Sequence, residues 1–293
     1  MKGNLIGLIS EHEKDFSKGQ RRIAQFITEH CDEAAFMTAL RLGDEVGVSE
    51  STVVRFAAEL GFDGYPQLQK AMQELIRSKL TIVERLEVTR ARMDEDNLLR
   101  NVATGDINNI RRTMEELDEK TFFEAVDTLV NARQIYVFGA GSCKALTSFF
   151  THYLKMLLGG RVQMLTASSQ SEIFEEMLDI GAQDAVIGIS FPRYSSKAAT
   201  TLHYAQSKGA GVVAITDSRL SPIAPYATSL LLAHSDMASV VDSLVAPMSI
   251  INALIVAISL RTMDQNRGKL EELEHLWNTY KVYEKMDGTE NTQ

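Results

Sequence analysis

The segment Gln134-Ile-Tyr-Val-Phe-Gly-Ala-Gly-Ser-Cys-Lys144 decides the fold of the C-terminal half of this chain. Its apolar run, Ile135–Phe138, is typical of a buried strand, and residues 145–158 have the apolar spacing of a helix. Glycines between them let the backbone approach an anion, and the N–H groups at a helix start attract negative charge. The segment therefore predicts a strand, a phosphate loop and a helix. The candidate contacts in the loop are Gly139, Gly141, Ser142 and Cys143.

Further apolar runs alternate with helical segments on the C-terminal side of this loop. They are Val162–Leu165, Ala185–Ile189, Val212–Ile215 and Leu230–Leu232. Runs that are apolar on both faces are typical of parallel strands covered by helices. We predict an α/β domain over about residues 121–264, with a flavodoxin-like parallel five-stranded sheet and helices on both faces. Residues 265–293 are predicted to form a C-terminal helix and tail.

A second polar loop, Ser190–Lys197, follows the third predicted strand. Ligands of open parallel sheets bind beyond the carboxyl ends of the strands, where both loops are expected to lie. Ser190 and Ser195 offer hydroxyl groups, and Arg193 offers a planar fork for phosphate or carboxylate. Alternatively, Ser195 only caps the next helix. A dinucleotide fingerprint would need a third glycine in place of Lys144, so a nicotinamide cofactor is not expected.

Residues 1–77 show helical spacing throughout and predict an all-α domain that contains a helix-turn-helix, Thr38–Gly61. Gly47 can end one helix in the left-handed conformation, and Ser49 can cap the next helix by accepting backbone N–H bonds. That second helix presents small polar residues and one cation, Arg55, on the face opposite its apolar residues. Residues 78–120 are predicted to form a helical linker, interrupted around Gly105.

Small residues on a recognition helix let its backbone approach the major groove, where an arginine reads a guanine edge or contacts phosphate. Cations of an earlier helix can add phosphate contacts. The candidate DNA-binding residues are Lys18, Arg21, Arg22, Ser49, Ser51, Thr52 and Arg55. The alternative is a structural helical hairpin with a solvated surface, because acidic residues slightly outnumber basic ones in this domain.

Composition restricts the class of protein. A length of 293 residues favours two domains, and a net charge of −9 argues against indiscriminate binding to nucleic acid or acidic membranes. Cys31 and Cys143 are far apart and the start is a poor signal peptide, which predicts reduced thiols and a cytoplasmic protein. The scattered histidines give no metal-ligand spacing, so neither a metal nor another cofactor is expected. The uncharged stretch Ser243–Leu260 contains Pro247 and polar residues, and predicts a helix buried in a domain or subunit interface rather than a membrane span.

The order of the motifs resembles that of RpiR-type bacterial regulators, which join a helix-turn-helix to a SIS (sugar isomerase) domain. The resemblance is carried by Gln20-Arg-Arg-Ile-Ala, Val48-Ser-Glu-Ser-Thr-Val-Val-Arg-Phe, Leu60-Gly-Phe-Asp-Gly-Tyr, Tyr136-Val-Phe-Gly-Ala-Gly-Ser, Ile189-Ser and Ala214-Ile-Thr-Asp-Ser-Arg-Leu-Ser-Pro-Ile-Ala. It implies that Ser142 and Ser190 bind the phosphate of a sugar phosphate. Two residues and one segment depart from the family: Cys143 replaces a frequent second serine, Phe191-Pro-Arg-Tyr-Ser replaces a more usual Ser-Gly-Glu-Thr arrangement, and Gly43 replaces alanine at a cost of about 1 kcal/mol in helix stability.

The resemblance and the motifs together predict a transcription regulator rather than an enzyme. Its expected partners are double-stranded operator DNA, a phosphorylated sugar or sugar acid, and further copies of itself in a homodimer or homotetramer. A sugar-phosphate isomerase is the alternative, with Glu172, His152 or His203 as the base, but none of these lies in a catalytic motif and no catalytic residue is predicted. A purely structural or protein-interaction role would predict no response to sugar phosphates.

Overall fold

A computed structural model describes residues 5–92, 95–236 and 241–284. Its N-terminal part is all-α, as predicted. The helices are α1 (Leu5–His12), α2 (Lys18–Glu29), α3 (Cys31–Ala34), α4 (Ala39–Val46), α5 (Glu50–Glu59) and α6 (Tyr65–Lys79). They enclose one core that includes Ile23, Leu42, Phe56 and Leu68. The apolar residues that recur at helical spacing in the sequence are therefore the residues buried in this core.

Three helices lead from this domain to the sheet: α7 (Ile82–Arg92), α8 (Leu98–Glu116) and α9 (Glu119–Asn131). The expected interruption at Gly105 is wrong, because α8 runs through it without a break. Asn109 and Thr113 of α8 are buried, and the helix packs on the long C-terminal helix. Such packing outweighs the cost of about 1 kcal/mol for one glycine in a helix. A short 3₁₀ turn at Glu95–Asn97 precedes α8 instead.

The C-terminal part contains the predicted five-stranded sheet, whose strands are all parallel. The strands are β1 (Ile135–Gly139), β2 (Val162–Met164), β3 (Ala185–Ile189), β4 (Gly211–Thr216) and β5 (Ser229–Leu232), in the order β2-β1-β3-β4-β5. This is the flavodoxin-like order, in which ligands bind where β1 and β3 diverge. The helices after the strands are α10 (Cys143–Leu158), α11 (Gln170–Glu176), α12 (Ser196–Ser207) and α13 (Val245–Thr279).

Helices cover both faces of the sheet and create two cores. Leu129, Phe150 and Leu254 of α9, α10 and α13 lie on one face, whereas Ile173 and Leu202 of α11 and α12 lie on the other. Strands covered on both faces have no solvent side, which explains why β1, β3 and most of β4 are apolar without alternation.

Helix α13 carries the long uncharged stretch. By length and composition it is the one described helix that could cross a membrane. Its stripe of Ile250, Leu254 and Ile258 is buried in the core, as predicted, and this packing is that of a core helix. The helix continues without a break through residue 264, so the proposed boundary between residues 264 and 265 falls inside one helix.

Candidate functional site

The turn between α4 and α5 has the geometry of a helix-turn-helix. Gly47 ends α4 in the left-handed conformation, at φ 68° and ψ 47°. The next N–H, of Val48, donates to the carbonyl of Gly43 at 2.8 Å. Arg22 of α2 donates to the carbonyl of Gly47 at 2.6 Å, so this cation also holds the turn in place.

Ser49 occupies the position before α5, but its side chain does not cap the helix. The expected bond from a backbone N–H is wrong, because the hydroxyl pairs instead with the hydroxyls of Ser51 and Thr52, each at 2.9 Å. Short polar side chains often compete with the backbone in this way. The result is a cluster of three hydroxyl groups at the start of α5.

The exposed face of α5 carries the residues expected to meet DNA. Ser51, Val54, Arg55 and Ala58 all face solvent. The guanidinium of Arg55 is anchored by a bond from its Nε to the carbonyl of Ser51, at 3.2 Å. Val53, Phe56 and Ala57 are buried on the opposite face.

Helix α2 starts beside the start of α5. A Cβ placed on Gly19 would lie 3.3 Å from Val48 Cγ1 and 3.4 Å from Thr52 Cγ2. Lys18 and Arg21 on this helix are exposed. The structure therefore puts exposed cations and the hydroxyl cluster on neighbouring helix starts, an arrangement that suits contacts with a phosphate backbone.

The two predicted ligand loops meet at the carboxyl ends of the adjacent strands β1 and β3, where Gly139 pairs with Ile189. The thiol of Cys143 is buried in the same apolar core as Phe191, so the two loops pack against each other. Burial raises the pKa of this thiol. Cys143 therefore has a structural role in the packing of the two loops.

Gly139 is required where β1 meets α10. A Cβ on this residue would lie 2.8 Å from Thr147 Cγ2 and 3.2 Å from the carbonyl of Cys143. The close approach brings the start of α10, the positive end of the helix dipole, to the end of the strand. Ser142 at this helix start is exposed, and its hydroxyl does not cap α10.

The second loop is held by its own serines. Ser190 is 2% exposed, and its hydroxyl accepts the N–H of Ser195 at 3.3 Å. The hydroxyl of Ser195 accepts the N–H of Ala198, which is the helix-capping role considered as the alternative. Arg193 is exposed and has φ 60°, an uncommon conformation for a residue with a side chain. The loop thus directs this cation to solvent near Ser190.

Sequence reasoning missed the link between the second loop and the N-terminal domain. The hydroxyl of Tyr194 donates to Asp217 Oδ1 at 2.8 Å. Burial, with the nearby carboxylate of Glu74 from α6, raises the pKa of Asp217 to about 7. The departure of residues 191–195 from the family pattern was the available signal, because Tyr194 lies in that segment.

The linker also reaches this edge of the sheet. Arg85 of α7 is 1% exposed, and its Nη1 lies 2.9 Å from Oδ1 of Asp242, just before α13. On the loop after β5, Asp236 pairs with Arg112 at 2.6 Å and His234 with Glu116 at 3.0 Å. A cavity of about 20 Å³ remains here, lined in part by Glu74, Arg85, Pro192, Asp217 and Asp242.

The residues considered for isomerase chemistry are engaged in other contacts. Glu172 forms a capping box with Ser169 at the start of α11. His152 and His203 are exposed and contact the rings of Tyr153 and Tyr226. Across the described residues no group of three or more His, Cys, Asp or Glu side chains could hold a metal ion.

A helix-turn-helix domain joined to a sheet with paired ligand loops defines a class of DNA-binding regulators with a small-molecule domain. Two family models match the chain: the rpiR-family helix-turn-helix domain over residues 3–79 and the SIS domain over residues 128–257. The chain belongs to the RpiR family of transcriptional regulators.

Two transcriptional regulators are similar to this chain in sequence. An uncharacterized HTH-type transcriptional regulator of Haemophilus influenzae is 27% identical over 78% of this chain and 80% of its own length. The regulator HexR of Pseudomonas aeruginosa is 24% identical over 88% of this chain and 90% of its own length.

Two solved structures share the fold. The sugar isomerase domain of an RpiR transcription factor from Sphaerobacter thermophilus covers 61% of this chain and 99% of its own, with 28% identity and a TM-score of 0.58. The NanR protein of Vibrio vulnificus, complexed with ManNAc-6P, covers 94% of this chain and 99% of its own, with 18% identity and a TM-score of 0.56.

Proposed function

We propose that a phosphorylated sugar or sugar acid controls the affinity of this regulator for operator DNA. The effector binds between the loops at Gly139–Cys143 and Ser190–Ser195. Ser142 and Ser190 contact the phosphate, together with the backbone at Gly139 and Gly141, and Arg193 contacts phosphate or a carboxylate. Ser195 and Cys143 hold the loops in position.

One observation carries this proposal: β1 and β3 are paired as far as Gly139 and Ile189, so the two loops begin at adjacent strand ends. A helix start, two hydroxyl groups and a cation thereby lie at one edge of the sheet. Such groups bind phosphate without a metal. NanR, which shares the fold, is a protein seen with a phosphorylated amino sugar.

DNA binding is assigned to the N-terminal domain. Arg55, Ser51, Thr52 and Ser49 face the major groove, whereas Lys18, Arg21 and Arg22 lie along the phosphate backbone. A helix-turn-helix reads only a few base pairs, so a homodimer or homotetramer on a pseudo-palindromic operator provides the specificity. The protein acts in the cytoplasm, where the operator and phosphorylated sugars occur together.

No catalytic step is assigned to the effector site. Glu172, considered as a base for isomerase chemistry, has a capping role, and His152 and His203 have surface contacts with aromatic rings. A recognition helix is also unnecessary for an isomerase. In this proposal the protein binds its effector and releases it chemically unchanged.

A thermal-shift screen of phosphorylated sugars and sugar acids tests the effector site. A ligand that prefers the folded state raises the unfolding temperature of the wild-type protein. Replacing Ser142→Ala together with Ser190→Ala is expected to remove that shift. The matched control combines Ser10→Ala and Ser207→Ala, two exposed hydroxyls that bond within their own helices, and keeps the shift. An equal shift in both double variants places the effector elsewhere.

A further inference from the structure

The ion pair between Arg85 and Asp242 lies next to the phosphate loop although neither residue belongs to it. Asp242 is 14% exposed, and its carboxylate raises the pKa of the Cys143 thiol, so its field reaches the start of α10. The cavity beside this pair is also lined by Pro192 of the second loop. A carboxylate thus lies beside a buried guanidinium, and its charge is felt at the start of α10.

Such a position suits any anion, because helix starts and arginine both favour negative charge. We propose that Asp242 acts as an internal stand-in for the effector phosphate, and that the bound phosphate competes with Asp242 for Arg85 of the linker helix. This inference rests on the proposed effector site. It adds Arg85 and Asp242 to the residues that respond to the ligand.

The cavity is so small that a bound phosphate must displace Asp242 and cannot simply bind beside it. About 20 Å³ has room for little more than one water molecule, whereas small-molecule sites enclose several hundred cubic ångströms. A sugar phosphate enters only if groups at this edge move apart. Arg85 is on α7, directly after the DNA-binding domain, so loss of its bond to Asp242 alters the position of the linker. Effector binding is thereby transmitted to α6 and the helix-turn-helix.

Chemical rescue by inorganic phosphate tests this competition in the full-length protein. Asp242→Asn removes one anion beside Arg85 and is expected to lower the unfolding temperature in phosphate-free buffer. Phosphate at constant ionic strength, with chloride as the reference, should restore most of that loss. We also expect phosphate to bind this variant at least about 5-fold more tightly than wild type, the lower range of typical coupling between sites.

Two further variants complete the test. Asp127→Asn, which removes the partner of Arg261 on α13 far from the cavity, should show the weak phosphate response of wild type. The double variant Arg85→Gln with Asp242→Asn removes both charges, so it should fold even if the single variant does not, and phosphate should not rescue it.

Two results overturn the inference. If wild type and all variants gain equal stability from phosphate, Asp242 does not compete for the site, although the proposed phosphate site itself stands. If neither inorganic phosphate nor any phosphorylated sugar stabilises wild type, the proposed effector site fails and this inference fails with it.

Discussion

Gly43 shows how one residue in the first helix of the motif is fixed by its contact with the turn. A Cβ at this position would lie 2.8 Å from the carbonyl oxygen of Val48 and 3.3 Å from the N–H nitrogen of Glu50. Both atoms are backbone, so they cannot move aside cheaply. The expectation that this glycine mainly weakens α4 is therefore incomplete: it permits the close approach of α4 to α5.

Replacing Gly43→Ala is predicted to lower the free energy of unfolding by about 1–3 kcal/mol, the usual range for overpacking. Gly105→Ala is the matched control, because a Cβ there meets nothing within 4 Å and alanine is favoured in a helix by up to about 1 kcal/mol. Urea denaturation of the two variants measures the difference. A Gly43→Ala protein as stable as the Gly105→Ala protein would disprove the close approach.

Arg55 is the cation on the exposed face of the recognition helix. Arg55→Ala is predicted to weaken specific DNA binding by about 1–3 kcal/mol if the side chain reads a base edge. Fluorescence anisotropy at fixed salt measures this against a duplex selected from a random library and against a scrambled duplex.

Arg21 of α2 provides the comparison for Arg55, because it is exposed but placed for phosphate contact. Arg21→Ala should weaken binding to both duplexes by a similar factor. It should also reduce the salt dependence of binding by about one phosphate contact. If Arg55→Ala also weakens binding to the two duplexes equally, Arg55 contacts phosphate rather than bases.

Helix α13 has two apolar faces with different surroundings. Leu254 is completely buried in the core, whereas Leu260 on the same helix is 70% exposed. Leu254→Asp is predicted to destabilise the protein by at least about 3 kcal/mol, since it removes core packing and buries a charge. Thermal unfolding of the expressed protein measures the loss. A soluble variant with the wild-type unfolding temperature would contradict the core position.

Leu260→Asp separates folding from association. Its neighbours Val256 and Met263 are also exposed apolar residues, and their face suits the proposed subunit contact. The Leu260→Asp protein should stay folded but sediment as a smaller species than wild type. Unchanged sedimentation would place the subunit contact on another face.

The sequence predicted the elements better than the contacts among them. All five strands were predicted because each lies in a short apolar run, and this signal is clearest for β1 and β3, which are buried throughout; α5 was predicted because its apolar spacing is helical. The break at Gly105 was wrong because a local propensity of about 1 kcal/mol is smaller than the packing of α8 on α13. Capping by Ser49 failed because nearby hydroxyls competed for the same side chain.

Contacts between the domains could not be predicted because they join residues far apart in the chain. Arg85 and Asp242 are separated by 157 positions. Asp217, which accepts a bond from Tyr194, lies near the carboxylate of Glu74 in α6. No local pattern marks such pairs. They place Tyr194 of the second loop beside α6 of the N-terminal domain and the linker helix α7 beside the start of α13.

The raised pKa of Asp217 predicts how pH affects stability. An aspartate in the unfolded chain has a pKa of about 4, whereas burial raises the pKa of Asp217 to about 7. Between these two pH values the native protein keeps a proton that the unfolded chain has lost. The contribution of this group to stability therefore falls as pH rises from about 4 to about 7 and is constant above that. Asp217→Asn should remove this dependence and raise the unfolding temperature relative to wild type at pH 8. Calorimetry of the two proteins at pH 5 and pH 8 measures their unfolding temperatures. If the unfolding temperature changes with pH by the same amount in both proteins, the raised pKa of Asp217 is contradicted.

The central claim is that an effector bound at the sheet edge controls DNA binding by the N-terminal domain. The most direct measurement is operator affinity with and without the phosphorylated compound that gives the largest thermal shift. Wild type is predicted to change affinity by about 5- to 150-fold, the usual range of coupling between two sites. Ser142→Ala with Ser190→Ala should bind operator as wild type does without effector and should not respond to it. A double variant that responds at the same effector concentration as wild type would contradict the account.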